Sequence, residues 1–230
     1  MLTIHRLALA SLVGLGAHGS LGGWAVITVD SPPEYLEAGA SYRIEYMVRQ
    51  HGRDPLTGLA GTIQVQPGDA GATEAIVAKA EPGSTAGRYG ASFRVPDADR
   101  VTLTIKSGFG GGGWGDLTLI SIPVVRSGQA HSTLALPERG RRLFVAKGCG
   151  TCHVNGDVPE FAAMNRVIGV APELTGRRLE AAYGRQRLTD PMSLPKIGDS
   201  PVRMPNLGLT PAEVDALVAL VSGSSDRAER

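Results

Sequence analysis

The chain has little cysteine, few aromatics and almost no net charge. Its two cysteines, Cys149 and Cys152, cannot staple a small secreted scaffold with several disulfides or complete a four-cysteine zinc site. A formal net charge of +1 leaves no basic excess with which to hold nucleic acid, and no acidic tail. No segment offers the run of about 20 apolar residues that a membrane-spanning helix needs, so the mature chain is expected to have no transmembrane helix of its own. Glycine is plentiful, at 31 residues, with 15 prolines, and both mark turns between short elements. At 230 residues with 42% hydrophobic content, the chain is large enough for one big core or two modest ones.

At the start, "MLTIHRLALASLVGLGAHGSLGG" places Arg6 before a short apolar run that ends in small residues. This is the pattern of an export signal over residues 1–23, and neither cysteine stands where a lipid anchor would be attached. Cleavage would leave a periplasmic or otherwise extracytoplasmic protein beginning near Trp24.

Residues 24–126 read as strands. The segments "WAVITVD", "SYRIEYMVRQ", "GTIQVQ", "EAIVAKA", "YGASFRV", "VTLTIKS" and "DLTLISIPVV" alternate in polarity between turn residues, which predicts about seven strands in a sandwich. In "YRIEYMVRQ" the alternation puts Tyr42, Ile44, Tyr46 and Val48 on an inner face and Arg43, Glu45, Met47 and Arg49 on a wet one. "WAVITVDSPPEYLEAGASYRIEYMVRQHGRDPLTGL" and "GRYGASFRVPDADRVTLTIKSGF" resemble the YtkA-like, FixH-related immunoglobulin-like domains of exported bacterial proteins. That resemblance implies an immunoglobulin-like sandwich, and copper handling in some relatives. His51 and Met47 would be the ligands for copper, but two donors fall short of the three or four of a usual site. A copper-binding module with an appended cytochrome remains an alternative. "SGFGGGGWGD", Ser107 to Asp116, lacks the Lys-Ser/Thr pair and helix of a phosphate loop and reads as a hairpin loop. Trp114 either plugs the sandwich or stands exposed for docking.

A patternless linker, residues 127–136, precedes helical periodicity over residues 137–230, where Pro137 and Glu138 suit a first helical turn. In this part "KGCGTCHVNG" holds both cysteines, followed directly by His153. A redox dithiol or half a zinc site would fit two cysteines, but a Cys-x-x-Cys-His run in an exported chain is the attachment pattern of c-type haem. Cys149 and Cys152 would form the thioethers, and His153 would be the proximal iron ligand. The other histidines, His5, His18, His51 and His131, lie outside this segment, so bis-histidine ligation is not expected. "VRMPNLGLTPAEVDALVALV" offers Met204 as the second ligand, in preference to Met164 and Met192. A helix opens there at Thr210 and Pro211, with Glu213 placed to complete a capping box.

"GRRLFVAKGCGTCH", "GVAPELTG" and the Met204 segment resemble class I cytochromes c. The resemblance implies an all-α monohaem fold, with Gly140 admitting the last helix, Phe144 near the haem edge, and the Pro172 carbonyl accepting from His153. "VNGDVPEFAAMNRVIGV" is longer than that pattern, and Leu220 stands where an aromatic is common.

The expected architecture is therefore two domains, an all-β immunoglobulin-like sandwich followed by an all-α class I cytochrome c fold. The expected function is one-electron transfer through one covalently attached haem c, not enzymatic catalysis. The sandwich would dock the protein on a redox partner or a larger respiratory or photosynthetic complex, and basic residues between Arg166 and Arg203 would meet an acidic surface. A haem enzyme or gas-binding protein with an open distal site is the alternative. Every haem-binding feature is expected after Pro137.

Overall fold

The computed structural model describes residues 23–68, 74–198 and 202–223. The export segment expected at 1–23, Gly23 apart, lies outside the described residues, as do His5 and His18. No helix among the described residues is long and apolar enough to cross a membrane.

Two sheets form the bulk of the molecule. One joins β1 (Ala25–Val29), β3 (Ser41–Gln50), β8 (Arg88–Arg94) and β7 (Glu81–Pro82), with β4 (Asp54–Pro55) also on β3. The other runs β2 (Leu36–Glu37), β11 (Ile122–Val125), β9 (Arg100–Lys106), β5 (Thr62–Pro67) and β6 (Ile76–Lys79), with β10 (Asp116–Thr118) also on β9. Pairing is antiparallel except between β2 and β11. Period-two burial is clearest in β9, where Val101, Leu103 and Ile105 are buried and Thr102 and Thr104 are not. With Ile27, Val29, Ile44, Tyr46, Val48, Ile63 and Val65 they fill the space between the sheets, in the manner of an immunoglobulin-like sandwich.

The seven expected strand segments are all present, and "DLTLISIPVV" is broken into β10 and β11. The wet face expected on β3 is present at Arg43 and Glu45 and is corrected at Met47. Met47 is buried, and so is its cross-strand partner Thr28. All five residues of β1 are buried, because its outer face is covered by helices. The Thr28 hydroxyl donates to the Lys147 carbonyl (3.4 Å).

Those helices are α1 (Leu136–Ala146), α2 (Cys149–Cys152), α3 (Pro159–Met164), α4 (Ala181–Thr189) and α5 (Pro211–Ser222). α1 and α5 cross tightly at Gly140, where a Cβ would come within 2.1 Å of the Ala216 carbonyl oxygen. The α5 capping box forms as expected from Thr210 and Glu213.

An all-α cytochrome fold as a second domain is not what the structure shows, and the expected fold class is corrected. The described chain is mainly β-sheet with a few short helices, and long irregular stretches separate α3, α4 and α5. α5 packs against both α1 and α4, and the core they form is continuous with the sandwich interior. Leu143, Phe144, Val145, Ala146, Phe161, Ala216 and Leu217 belong to the same continuous cluster as the sandwich interior.

Polar contacts fasten this helical layer to the sheets. Asn165 clamps the Thr118 backbone, accepting from its N–H (2.6 Å) and donating to its carbonyl (3.0 Å). Arg139 pairs with Glu34 (2.5 Å), and Arg142 donates to the Ser121 carbonyl (3.3 Å). The overlong "VNGDVPEFAAMNRVIGV" stretch thus supplies part of the seam, through Phe161 and Asn165.

Candidate functional site

Between the helical layer and the edge of the sandwich lies a cleft of about 390 Å³, within the range usual for cofactor sites. Cys149, Cys152, His153, Pro172 and Met204 all line it. Most of its wall is apolar, from Val26, Ala171, Leu174, Leu179, Leu194, Ile197, Val202 and Leu207.

The cysteines sit side by side for a local reason. α2 is a single turn, and residues three apart on a helix share a face. The turn is pinned to the sandwich at Gly148, whose left-handed φ of +70° suits glycine and where a Cβ would lie 2.4 Å from the Ile27 carbonyl oxygen. Gly150 admits the Phe161 ring, which a Cβ would overlap at 2.3 Å.

Both thiols are free. Burial pushes Cys149 up to about 12, with Cys152 adding to the rise and Lys147 opposing it. Burial likewise pushes Cys152 up to about 11. Such thiols are protonated at neutral pH, the reverse of the depressed pKa that activates a redox dithiol. Among the described residues no three His, Cys, Asp or Glu side chains gather as a metal site, which leaves half a zinc site without its other half.

His153 caps the end of α2. The chain over residues 168–174 returns alongside it, held by Ile168 N to Thr151 O (2.8 Å), Ala171 N to Cys152 O (3.0 Å) and Leu174 N to Val154 O (2.8 Å). That path brings the Pro172 carbonyl to 2.7 Å from His153 Nδ1. A carbonyl can only accept, so Nδ1 carries the proton and Nε2 keeps its lone pair for a metal. Burial lowers the His153 pKa, and the Pro172 hydrogen bond partly offsets this. The imidazole is therefore neutral and ready to ligate.

Met204 reaches the cleft from the irregular segment before α5 and also borders an adjoining cavity. Met192 lies in that adjoining cavity and is exposed, whereas Met164 lines a separate one with Thr104 and Lys106. Phe144 is not among the cleft-lining residues. It is buried edge-on to Phe161, with ring centroids 6.4 Å apart. Arg187 ties α4 to the loop beyond it, donating to the carbonyls of Pro191 (3.1 Å) and Pro195 (2.9 Å).

Three lining residues come from the sandwich: Val26, His51 and Gly52. His51, read from the sequence as lying outside the helical segment, thus borders the same cleft as Cys149, Cys152, His153 and Met204. No local signal marks these residues, because β1 and the β3–β4 turn meet the cleft only through tertiary packing. Lys147, also in the wall, is buried and pairs with Glu213 (2.7 Å) while donating to the Asp30 carbonyl (2.6 Å).

In the glycine-rich loop, Phe109 rather than Trp114 enters the core. Trp114 is exposed, with the Arg166 guanidinium 4.6 Å from its ring centre.

No protein family and no characterised protein matches the chain. Solved structures resemble it in part. The Lin-41 filamin domain is 15% identical, with 45% of this chain and 98% of that domain covered at a TM-score of 0.33. The ZirS C-terminal domain is 13% identical over 54% of this chain and 85% of its own, at 0.30. A superoxide reductase (neelaredoxin) from Ignicoccus hospitalis is 12% identical over 44% and 80%, at 0.28. The resemblances read from the sequence, to class I cytochromes c and to YtkA-like domains, are therefore corrected: no family match carries them, and the described residues show no all-α cytochrome fold.

Proposed function

We propose that the chain is an extracytoplasmic, monohaem c-type electron carrier. The carrying observation is that Met204 shares one cleft with Cys149, Cys152 and His153, although it is remote from them in sequence. The residues fit the group: two adjacent thiols for attachment, a neutral imidazole with Nε2 available, a thioether, and an apolar wall. Haem bound there would supply a one-electron ferrous–ferric couple. The Pro172 carbonyl holds the His153 ring in one tautomer and orientation, and a thioether ligand favours the reduced state. With Met204 in the wall, a carrier is favoured over an enzyme or gas-binding protein with an open distal site.

The partner would be a redox protein or a membrane electron-transfer complex with an acidic face. Arg49 and Arg53 from the sandwich, with Lys196 and Arg203 from the loops, border the cavity beside Met204, together with Asp54 among the described residues. Clustered positive charge of this kind steers encounter with an acidic surface. The exposed Trp114 loop is a second docking feature. Export rests on the pattern of residues 1–23.

The test is the full chain expressed with haem-maturation machinery in an exporting host. Replacing Cys149 and Cys152 by alanine should abolish haem that resists acid–acetone extraction, and resistant haem in that variant refutes the assignment. Met204→Ala should remove the far-red sulfur-to-iron band of the ferric protein, lower the reduction potential and admit carbon monoxide to the reduced form. Met164→Ala and Met192→Ala should do none of these, and loss of the band in either reassigns the ligand.

A further inference from the structure

His51 has a left-handed backbone, with φ +50°, the one such non-glycine residue among those described. That conformation costs an L-residue about 1–2 kcal/mol, and glycine or asparagine would bear it more easily. Strain of this kind persists where the surrounding structure holds it and the side chain has a use.

The surroundings do hold it. The His51 N–H donates to the Trp24 carbonyl (2.9 Å), and its ring meets Trp24 edge-on, with centroids 5.4 Å apart. Held in this way, the imidazole lines the cleft beside Val26 and Gly52, in the same wall system as Cys149, His153 and Met204. Val26 in turn packs at Gly148, where a Cβ would lie 2.8 Å from its Cγ1. The sandwich therefore forms a face of the cleft next to the attachment turn.

We propose that His51 is a positioning residue for the prosthetic group, closing the sandwich side of the cleft against water. This rests on the haem reading above. Oxidation adds a positive charge to the metal centre, and a drier, less polarisable surrounding disfavours that charge. The wall made by His51 and Val26 raises the reduction potential by this route, so the sandwich acts on the redox centre as well as on partners.

The experiment measures haem attachment, the ferric far-red band, midpoint potential and thermal stability in the full-length holoprotein. His51→Gly relieves the backbone strain and opens the wall. It should keep covalent haem and the band, leave the melting temperature no lower because relief of the backbone strain offsets the lost Trp24 contact, and shift the potential downward. His51→Asn tolerates the same φ with a smaller side chain and should fall between glycine and wild type. Val26→Ala should shift in the same direction, and Val77→Ala, on an exposed edge strand, should not.

Unchanged potentials in both His51→Gly and Val26→Ala overturn the proposal. A wild-type ferric protein without the far-red band, whose reduced form admits carbon monoxide in His51→Gly but not in Met204→Ala, also overturns it by making His51 a ligand. A wild-type chain that matures without covalent haem refutes the underlying reading itself, which the attachment measurement reports separately.

Discussion

The sandwich and the helical layer are held together by different means. In the sandwich, backbone ladders run the length of β3, β5, β8 and β9, and the inner faces bury aliphatic and aromatic side chains with scarcely a polar group among them. In the helical layer, ladder-like order is brief. The shape there depends on single close fits at Gly140, Gly148 and Gly150, and on ion pairs linking Glu138 with Arg141 and Arg142, Arg141 with Glu160, and Lys147 with Glu213. A region that leaves a cleft open does not fill itself with its own side chains, so it is held from its margins. The lesson is that the regular half supplies rigidity and the irregular half supplies the cleft, with one shared core between them.

The hardest test of that shared core is Gly140→Ala. Its Cβ would collide with the Ala216 backbone, which cannot yield as a flexible side chain would, so α1 and α5 must separate. A loss of about 3 kcal/mol is expected, read as one cooperative transition in which strand and helix signals in circular dichroism melt together. Separate transitions would mean that the two regions are independent after all.

The seam is the next place to probe. Asn165→Ala removes both hydrogen bonds to Thr118 and leaves its half-buried backbone groups unpaired, for an expected loss of about 1–2 kcal/mol. An unchanged denaturation midpoint would show that the clamp contributes nothing to docking the layer.

The smallest effect concerns acid. Burial opposes ionisation of Glu138, yet hydrogen bonds from Arg141 and Arg142 outweigh it and hold the carboxyl below its ordinary value of 4.5. A depressed carboxylate contributes stability that is present above the unfolded value and is lost as pH falls through the folded one. The wild type should therefore lose a little stability below about 4.5 that Glu138→Gln does not. Identical acid profiles would remove this ionic contribution from the contrast between the regions.

Legibility followed the same divide. Alternation located the strands because a half-buried sheet repeats every two residues, whatever else the chain does. It failed at Met47, where the outer face of β3 beside β1 is covered, since nothing local in a strand says what lies over it. Capping at Thr210 and Glu213 was readable because a helix start is a four-residue event. Phe144 read as a haem-edge residue but pairs with Phe161, a neighbour that only the path of the longer loop brings to it.

From the sequence alone came the strand segments, the helix starts, the adjacency of Cys149, Cys152 and His153, and the choice of Met204, which lines the same cleft. Those are short-range facts, carried by backbone periodicity and residue chemistry over a few positions. Tertiary structure alone decided that the helical core runs on into the sandwich interior, that Phe144 meets Phe161, and that Val26, His51 and Gly52 complete the cleft. These depend on contacts between segments far apart in the chain, and packing selects such contacts by shape and burial across the whole molecule, which no local pattern encodes.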